Sequence, residues 1–409
     1  MSFELPIQSI GDTDTYKLSM MQGVINHFSR YIAGYQFINR GQTAFPDRFN
    51  FSLQEGVEAM SDLRLLPQEE EYLRKNCGQY LKPSFLDTLR GYHFNPEQVT
   101  ISQTGGNLGI NIEGPWYQTI LWEVPLMALI SELYFEATGQ KTKEGWIERA
   151  RQKANALREA WVRFADFGTR RRFSFNVQKT VVEIMKEIAL PIPRKGEQFD
   201  PTKHGVFTGT SNVHLAMLYD LIPIGTVAHE WFMAIAAIYG YRMATSIAIE
   251  TWAKEFGGEL GIALSDTFTT QEFLRHFNKY YAKLFDGVRQ DSGDPFEILK
   301  MVIAHYLSLG IDPLTKTIVF GDNLDVPKIL ALAEACRNLI QCSFGIGTNF
   351  TNDVGVIPLN MVIKLSHIIL PDGVMIPAVK LSDSKGKYTG DPEEIAMAIR
   401  ELRLPLQSP

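Results

Sequence analysis

Apolar runs in the second half of the chain repeatedly end in short clusters of glycine, acidic and other polar residues. Helix-like segments, with apolar residues at three- and four-residue spacing, separate most of the clusters. The distance from one cluster to the next, mostly about 25 to 40 residues, is typical of a strand followed by a helix. Six clusters fit the pattern, at 207–212, 225–230, 263–267, 288–295, 319–323 and 344–349. The pattern predicts a parallel α/β barrel, a fold that places its chemistry where the strands end.

The remaining elements follow from the same hydrophobic spacing. Apolar positions predict helices over 12–28, 122–138, 143–164, 178–188, 231–256, 271–285, 295–309 and 325–339. Strands are predicted over 35–38, 173–177, 361–370 and 378–382, the last two joined by a turn at Pro371, Asp372 and Gly373. Because strands and helices alternate only between about residues 140 and 355, we expect the two ends of the chain to pack together as a second domain.

Bulk composition changes this picture little but excludes several classes of protein. With 409 residues, of which 45% are hydrophobic, the chain can bury a sizeable core without a structural metal or disulfide framework. The formal net charge of −6 argues against nucleic acid as a partner. The three cysteines, Cys77, Cys336 and Cys342, include no Cys-x-x-Cys pair, so a reducing compartment is expected.

Targeting signals are not indicated either. Residues 1–11 contain Glu4 and lack a basic segment followed by an apolar stretch, which would mark a secretory signal. No apolar run approaches the roughly 20 residues that a membrane helix needs. The expectation is a cytoplasmic protein without a membrane partner.

The last cluster is suited to binding phosphate. Gly345, Gly347 and Thr348 follow an apolar strand, and glycine allows backbone N–H groups to approach an anion closely. Barrels of this kind often bind phosphate with the loops after their last strands. An ordinary turn is the alternative, and a P-loop is excluded because no Gly-Lys-Ser/Thr sequence follows.

Another cluster combines a cation with carboxylates. Arg289 and Asp291 lie close together in the chain, and Asp266 and Asp322 end neighbouring predicted strands. Converging carboxylates and an arginine suit a diphosphate that carries Mg²⁺, with water completing the metal shell. Asp294 precedes a proline and is better explained as a helix cap.

Three arginines and a histidine complete the candidate chemistry. On a strand, Arg170 and Arg172 would point one way and Arg171 the other, and at least one of them could bind an anion. A nucleic-acid patch is the alternative, but no second basic cluster supports it. His229 opens a helix, and Met233 at the fourth position after it excludes the two-histidine zinc motif. A structural and a catalytic role for this histidine stay equally open at this point.

Six motifs, taken in order, resemble the nicotinate phosphoribosyltransferase family over nearly the whole chain. Each motif alone is weak, whereas their order and spacing together are very specific. The paired-acid loop that binds 5-phosphoribosyl-1-diphosphate (PRPP) in the commoner phosphoribosyltransferases is missing, as it is in this family. The motifs are Asp12-Thr13-Asp14-Thr15-Tyr16-Lys17, Phe167-Gly168-Thr169-Arg170-Arg171, Gly209-Thr210-Ser211-Asn212, Ala228-His229-Glu230-Trp231, Arg289-Gln290-Asp291-Ser292-Gly293-Asp294 and Phe344-Gly345-Ile346-Gly347-Thr348.

The resemblance implies an enzyme that joins nicotinate to PRPP, giving nicotinate mononucleotide and diphosphate, the first step of NAD salvage from nicotinate. It also implies coupling to ATP hydrolysis, which would place the enzyme among the ligases. By resemblance, His229 is the residue that becomes a phosphohistidine, and its phosphoryl group would add roughly −1.5 to −2 charges. Mg²⁺ is the implied cofactor and ATP the implied co-substrate.

The resemblance also assigns residues to the base. Phe167 would stack on the pyridine ring, with Tyr16 of a partner subunit on the other face. Arg170, Thr210 and Ser211 would bind the nicotinate, with Arg170 and Ser211 holding its carboxylate. A site shared in this way implies a homodimer.

A second set of residues is implied for the sugar and the phosphates. Catalysis would involve His229, Asp266, Arg289 and Asp291. Of these, Arg289 would neutralise phosphate, while Asp266 and Asp291 would lie near the ribose and the metal, Asp291 contacting Mg²⁺ through water. The end that holds the sugar and the 5-phosphate would be formed by Gly321, Asp322, Gly345, Gly347 and Thr348.

The implied fold class is α/β, with an irregular TIM-like α/β barrel over residues 136–355. An α+β domain formed from residues 1–135 and 356–409 would lie beside it. Ser211 favours nicotinate, because nicotinamide-using relatives carry an acid at the matching position. The alternatives are a nicotinamide or quinolinate phosphoribosyltransferase, or a barrel-shaped regulatory protein that binds phosphate without catalysis.

Overall fold

The computed structural model describes residues 5–189, 207–384 and 387–405. Residues 1–4, including Glu4, and residues 406–409 of the predicted terminal domain lie outside the described part. The strands are β1 (Ile32–Asn39), β2 (Val99–Thr104), β3 (Asn107–Pro115), β4 (Phe164–Asp166), β5 (Phe207–Thr210), β6 (Ile262–Leu264), β7 (Gly287–Gln290), β8 (Thr317–Phe320), β9 (Gln341–Ile346), β10 (Met361–Ile369) and β11 (Met375–Pro377).

The α-helices range from a single turn to about four turns. They are α1 (Thr15–Phe28), α2 (Phe49–Ala59), α3 (Pro67–Cys77), α4 (Pro83–Arg90), α5 (Trp116–Thr119), α6 (Glu123–Ala137), α7 (Trp146–Glu159), α8 (Phe175–Ala189), α9 (Val213–Leu218), α10 (His229–Tyr239), α11 (Tyr241–Phe256), α12 (Thr270–His276), α13 (Lys279–Leu284), α14 (Pro295–Ser308), α15 (Val326–Cys336), α16 (Thr348–Thr351) and α17 (Pro392–Glu401). Within the described residues, none of them is both long and apolar enough to cross a bilayer.

One sheet joins the two ends of the chain. Its five strands lie in the order β11-β10-β1-β3-β2, and each neighbouring pair is antiparallel. The central strand β1 pairs with β3 from the N-terminal segment on one edge and with β10 from the C-terminal segment on the other. The predicted α+β unit built from both chain ends is therefore present.

The second sheet contains the predicted parallel strands. Its order is β5-β4-β9-β8-β7-β6, and every neighbouring pair is parallel. The end strands β5 and β6 do not pair with each other in the described part of the chain. Thr210, the last residue of β5, forms a single parallel bridge with Pro223. The α/β fold class is confirmed, and the part of the predicted barrel that is seen is this irregular parallel sheet.

Of two predicted elements around the first barrel strand, one was wrong and the other is shorter than predicted. The stretch predicted as a strand from residue 173 is a loop followed by helix α8, whose residues Phe175, Val181, Val182 and Met185 are buried at helical spacing. A five-residue alternation of apolar and polar residues therefore proved too short to distinguish a strand from a helix start. The helix predicted over 143–164 ends at Glu159. Phe164, the last residue of the predicted range, begins β4 instead.

Other predicted elements are divided or displaced. The single helix predicted over 231–256 is α10 and α11, separated at Gly240, whose φ of 83° and ψ of 156° are accessible mainly to glycine. The helix predicted over 271–285 is α12 and α13, because the Asn278 side chain caps a new helix by accepting from the backbone N–H groups of Tyr280 and Tyr281. The last strand is β11 instead of 378–382, and the cluster at 225–230 follows an irregular segment instead of a strand.

Aromatic side chains from α1, α5 and α10 pack against one another in the core. Trp116 and Trp231 are fully buried, with ring centroids 6.2 Å apart, and Phe28 lies 5.4 Å from Trp231. Each such side chain stabilises the fold by roughly 1.5–3 kcal/mol through burial. Because Trp231 belongs to α10, this packing fixes the helix that begins at His229 against the sheet formed from the chain ends.

Candidate active site

A cavity lies where the parallel strands end and α10 begins. Its volume is about 160 Å³, and we call it the inner cavity. Residues of α1, β7, β9 and the loops after β4, β5 and β8 border it, as expected for chemistry at the carboxyl ends of parallel strands. The sequence-predicted residues in its lining are Tyr16, Phe167, Arg170, Ser211, His229, Arg289, Asp291, Gly321, Gly345 and Gly347.

The inner cavity adjoins a larger open space, which we call the outer cleft. The cleft has a volume of about 1500 Å³ and shares Arg171, Gly321, Gly347 and Lys364 with the inner cavity. The predicted residues Asp322 and Thr348 lie in the cleft alone. Further cations in its lining are Arg40, Lys328 and Lys387. The cleft can therefore accept an anion that extends out of the inner cavity.

Two predicted residues lie behind the lining. The Thr210 hydroxyl donates to Asp166 Oδ2 at 2.8 Å and is fully buried, so it holds β4 and β5 together instead of facing the cavity. Burial raises the pKa of Asp166 to about 6, although this hydrogen bond and one from Gln178 favour the charged form. Asp266 is also fully buried and does not line the cavity. Its carboxylate lies behind His229, which does line it.

His229 joins the two acid-bearing clusters. One ring nitrogen, Nδ1, lies 3.0 Å from Thr267 Oγ1, and the other, Nε2, lies 3.1 Å from Asp291 Oδ2 and 3.9 Å from Asp266 Oδ1. Burial, together with the nearby charge of Lys380, holds the pKa of His229 well below its usual range. The imidazole is therefore neutral near pH 7 and keeps a lone pair for nucleophilic chemistry.

The two carboxyl groups beside His229 differ in charge. Burial raises the pKa of Asp266 to about 7, against the opposing charge of Lys380, whose Nζ lies 3.9 Å from Oδ2. Burial also disfavours the charged form of Asp291, but the hydrogen bond with His229 and the charge of Arg289 outweigh it and hold its pKa well below the usual range. Near neutral pH, Asp291 is the ionised member and Asp266 the one that holds a proton most readily.

Phe167 fits into the cavity because Gly345 has no side chain. A Cβ at position 345 would lie 2.3 Å from Cδ2 of the Phe167 ring, well inside contact distance. Gly345 thus positions an aromatic face in the lining. The sequence signal at Gly345 was interpreted as room for phosphate, and the structure shows that it also makes room for the aromatic ring.

The three successive arginines have different surroundings. The sequence analysis placed them on a strand, but Thr169–Arg171 form a 3-10 helix. Arg172 is fully buried and pairs with Asp12 through two hydrogen bonds, of 2.7 and 2.9 Å, and with Glu132 at 2.8 Å. Arg170 lines the inner cavity, and Arg171 lines both spaces. Only these two face ligand space, and Arg172 holds the N-terminal segment to the parallel sheet.

Tyr16 lies in the lining of its own chain's cavity. The side chain is buried, and the Arg170 guanidinium lies near its phenol group. The resemblance implied that this tyrosine reaches the site from a second subunit. Tyr16 of the same chain therefore lines the inner cavity, and a contribution from a second subunit's tyrosine stays a prediction.

Charged residues that the sequence analysis missed surround the cavity. Lys17 is fully buried, with its Nζ 2.7 Å from Glu123 Oε2 and 2.5 Å from Glu230 Oε2. Lys364 lies on β10, where burial lowers its pKa to about 8 although Glu123 favours the charged form. A single charge among the apolar residues of the predicted strand 361–370 was the available signal for Lys364, whereas Lys17 appeared only as the last residue of the first motif. Their partners are distant in sequence and could not be identified from it.

The structure offers suitable ligands for a divalent cation beside Asp291. Asp266 Oδ1 is a buried carboxylate oxygen without a hydrogen-bond partner among the described residues. It lies on the same side of His229 as the ionised Asp291 carboxylate. Within residues 5–189, 207–384 and 387–405, no group of three or more histidine, cysteine or acidic side chains forms a metal site by itself. These residues fit a Mg²⁺ whose remaining ligands come from a diphosphate and water.

Known proteins show the same architecture. The chain matches the family model described as "Nicotinate phosphoribosyltransferase (NAPRTase) family" over residues 162–405, and the model of its N-terminal domain over residues 12–131. It is 49% identical to the nicotinate phosphoribosyltransferase of Desulforapulum autotrophicum, covering 97% of this chain and 99% of the relative. It is 47% identical to that of Chromohalobacter salexigens, with the same coverage.

Solved structures agree with the sequence matches. The crystal structure of nicotinate phosphoribosyltransferase from Porphyromonas gingivalis superposes with a TM-score of 0.91 at 39% identity, covering 97% of this chain and 100% of that one. A putative nicotinate phosphoribosyltransferase from Saccharomyces cerevisiae superposes with a TM-score of 0.91 at 35% identity, covering 99% and 100%. The chain therefore belongs to the nicotinate phosphoribosyltransferase family.

Proposed function

We propose that the protein is a nicotinate phosphoribosyltransferase, which forms nicotinate mononucleotide and diphosphate from nicotinate and PRPP. The observation that carries this proposal is the junction of the two spaces. The inner cavity offers the Phe167 ring and the Arg170 guanidinium to a small aromatic acid, and the outer cleft beside it is lined by cations suited to a phosphorylated sugar. The reaction would be the first step of NAD salvage from nicotinate.

The chemistry asks for positioning and charge stabilisation. The pyridine nitrogen already has a lone pair, so it attacks C1 of the ribose without a general base. The C1–O bond to diphosphate breaks, and its electron pair leaves with the diphosphate. The transition state resembles an oxocarbenium ion with a departing anion, which fixed cations stabilise in an enclosed site. Arg289 is suited to stabilise the departing anion, because its Nε is buried without a hydrogen-bond partner among the described residues.

The nicotinate carboxylate is assigned to Arg170 and Ser211. Both residues line the inner cavity beside Phe167, so a ring stacked on Phe167 would direct a substituent toward them. An arginine fork suits a planar carboxylate. Thr210 would act without contacting the substrate, by holding β4 and β5 in register.

Mg²⁺ would be held by Asp291, directly or through water, together with the PRPP diphosphate, and Asp266 Oδ1 lies close enough to contribute. When bound, the ion would neutralise charge on the leaving diphosphate. Gly321 and Gly347 border both spaces, Gly345 borders the inner one, and Asp322 and Thr348 border the cleft, which supports their assignment to the sugar and the 5-phosphate.

We further propose that ATP phosphorylates His229. The neutral imidazole would form a bond to the γ-phosphorus while the bond to ADP breaks. Asp291, at 3.1 Å, would stabilise the positive charge that develops on the ring. Supporting features are the low pKa of His229 and the cationic Lys380 near it. This would make the enzyme an ATP-dependent ligase with His229 as its phosphorylated residue.

Labelling with γ-³²P-ATP tests the role of His229. The wild-type chain should incorporate acid-labile label in the presence of Mg²⁺. The His229→Asn variant should incorporate none, hydrolyse no ATP and still form nicotinate mononucleotide slowly without ATP. His93→Asn is the matched control, since that histidine is exposed in the loop after α4 and lines neither space. Label retained on His229→Asn would contradict the assignment.

Substituting Ser211 tests the carboxylate site. Ser211→Asp should weaken nicotinate use far more than PRPP binding, because a second carboxylate would face the substrate carboxylate. Ser308→Asp, at the exposed end of α14, serves as the control. Equal turnover of nicotinate by Ser211→Asp and wild type would refute the placement of the carboxylate.

A further inference from the structure

A carboxylate of the protein already occupies the partners assigned to the substrate carboxylate. Asp14, at the start of α1, is only 2% exposed and lies in the inner cavity lining. Its Oδ1 accepts a hydrogen bond from Ser211 Oγ at 2.6 Å, and its Oδ2 lies 3.9 Å from Arg170 Nε. A nicotinate bound at Ser211 and Arg170 would therefore lie next to Asp14.

The Ser211 hydroxyl has one proton, and its direction decides which ligand it can bind. An ionised carboxylate only accepts hydrogen bonds, so an ionised Asp14 takes that proton and leaves Ser211 with lone pairs toward the cavity. Those lone pairs repel a substrate carboxylate. A protonated Asp14 can donate to Ser211 Oγ instead, and the Ser211 proton is then free for the ligand.

The charges that face Asp14 come from several elements. Arg170 follows β4, Glu123 lies on α6, Asp166 ends β4 and Tyr16 lies on α1. Burial raises the pKa of Asp14, while Arg170 and the hydrogen bond from Ser211 oppose this effect. A bound substrate carboxylate would add a further negative charge beside Asp14 and favour its protonated form.

We propose that Asp14 is a specificity-determining residue, which takes up one proton from solvent when nicotinate binds and reverses its hydrogen bond with Ser211. The proton stays on Asp14 while the carboxylate is bound and returns to solvent when the ligand leaves. This inference rests on the proposed function, in particular on the carboxylate site at Ser211 and Arg170.

The same arrangement predicts a different behaviour for a neutral amide. The N–H group of nicotinamide can donate to the Ser211 lone pair while Asp14 stays ionised, so no proton is needed. Lower pH should therefore favour nicotinate relative to nicotinamide. The selectivity of the cavity would depend on the protonation of Asp14 as well as on the identity of residue 211.

Calorimetry measures the proton directly. Nicotinate is titrated into the full chain with Mg²⁺ and diphosphate, in buffers of different ionisation enthalpy. The pH is kept at least about one unit below the Lys364 pKa of about 8, so that this group stays charged. We expect uptake approaching one proton per nicotinate and an affinity that falls with rising pH by up to about tenfold per unit. Nicotinamide binding should take up none.

The Asp14→Asn variant mimics the protonated acid, because its amide can donate to Ser211 Oγ. It should bind nicotinate without proton uptake and with a flat pH profile, whereas Asp372→Asn in the exposed turn after β10 should behave as wild type. Nicotinate binding by wild type without proton uptake, or uptake retained in Asp14→Asn, would overturn the inference alone. No nicotinate binding by wild type would contradict the proposed function as well. The wild-type measurement decides the matter even if the variant fails to fold.

Discussion

Single atoms decide whether the inner cavity can keep its lining. The Phe167 ring occupies the space that a Cβ at position 345 would need, and Asp291 Oδ1 would lie 2.9 Å from a Cβ at position 321. Gly345 and Gly321 therefore allow an aromatic ring and a carboxylate to approach the backbone of neighbouring strand ends. In this site, glycine is therefore required for the placement of neighbouring side chains.

The Gly345→Ala variant tests this requirement. Its Cβ would displace the Phe167 ring, and overpacking of this kind costs roughly 1–3 kcal/mol. The KM for nicotinate should rise more than that for PRPP. Gly91→Ala is the control, because a Cβ there meets its nearest atom at 3.6 Å and the backbone φ is −85°. Steady-state kinetics with an unchanged nicotinate KM would show that the Phe167 ring does not contact the base.

Substitutions of two neighbouring arginines should have different effects, one on the stability of the fold and the other on PRPP binding. Arg172→Ala leaves Asp12 and Glu132 without their cation in a buried site, which typically costs about 3–5 kcal/mol. Arg171→Ala removes a guanidinium whose pKa is lowered to about 10 by burial and by Arg170. It should weaken PRPP binding with a much smaller loss of stability. Urea denaturation and PRPP kinetics on both variants measure the two effects, and equal losses of stability would contradict the division.

Most of what could be predicted from the sequence concerned strands, helices and the residues at their ends. Residues at strand ends, such as Asp291 and Gly347, were predictable because apolar runs ending in polar clusters mark the carboxyl edge of a parallel sheet. Asp14 was recognised only as part of a motif, and Glu123 was not recognised at all. Their significance depends on Ser211, Arg170 and Lys17, which are brought close by tertiary packing and leave no local pattern.

The break between α10 and α11 shows the same limit at the scale of helices. The apolar spacing of residues 231–256 continues without interruption, so it predicts one helix. The chain breaks at Gly240 because its φ of 83° with ψ of 156° is available to glycine. One glycine thereby turns the continuous pattern into two helices, the first of which presents His229 to the cavity.

Replacing Gly240 should therefore weaken the junction of the two helices. No atom lies within 4 Å of a Cβ built at this position, so the cost of Gly240→Ala is backbone strain alone. Such strain is of order 1–3 kcal/mol. Thermal or urea unfolding should detect this loss, with Gly91→Ala again as the control. A variant as stable as wild type would mean that the backbone here adopts an ordinary conformation.

At the scale of the whole molecule, polar contacts to one buried carboxylate connect the N-terminal segment to the rest of the chain. Glu255 on α11 accepts hydrogen bonds from Gln22, Asn26 and Lys82 and contacts His27. Although burial disfavours the charged form, the hydrogen bonds from His27 and Lys82 lower the pKa of Glu255 to about 2. The charged carboxylate therefore stabilises the folded state.

This lowered pKa predicts that the contribution of Glu255 to stability depends on pH. The stabilisation by Glu255 is complete above the unfolded value of 4.5 and is lost as the pH falls toward about 2. Glu255→Gln should therefore be less stable than wild type at neutral pH, and the difference should shrink in acid. Urea denaturation across this pH range measures both chains, and a difference that is independent of pH would contradict the assignment.

The central claim is that the inner cavity and the outer cleft together perform phosphoribosyl transfer to nicotinate. The most direct measurement is an assay of the purified chain with PRPP and Mg²⁺ and with nicotinate, nicotinamide or quinolinate, each with and without ATP. We expect nicotinate mononucleotide and diphosphate from nicotinate, faster with ATP, and little product from the other two bases. Preference for nicotinamide or quinolinate, or binding of PRPP without product from any base, would contradict the account.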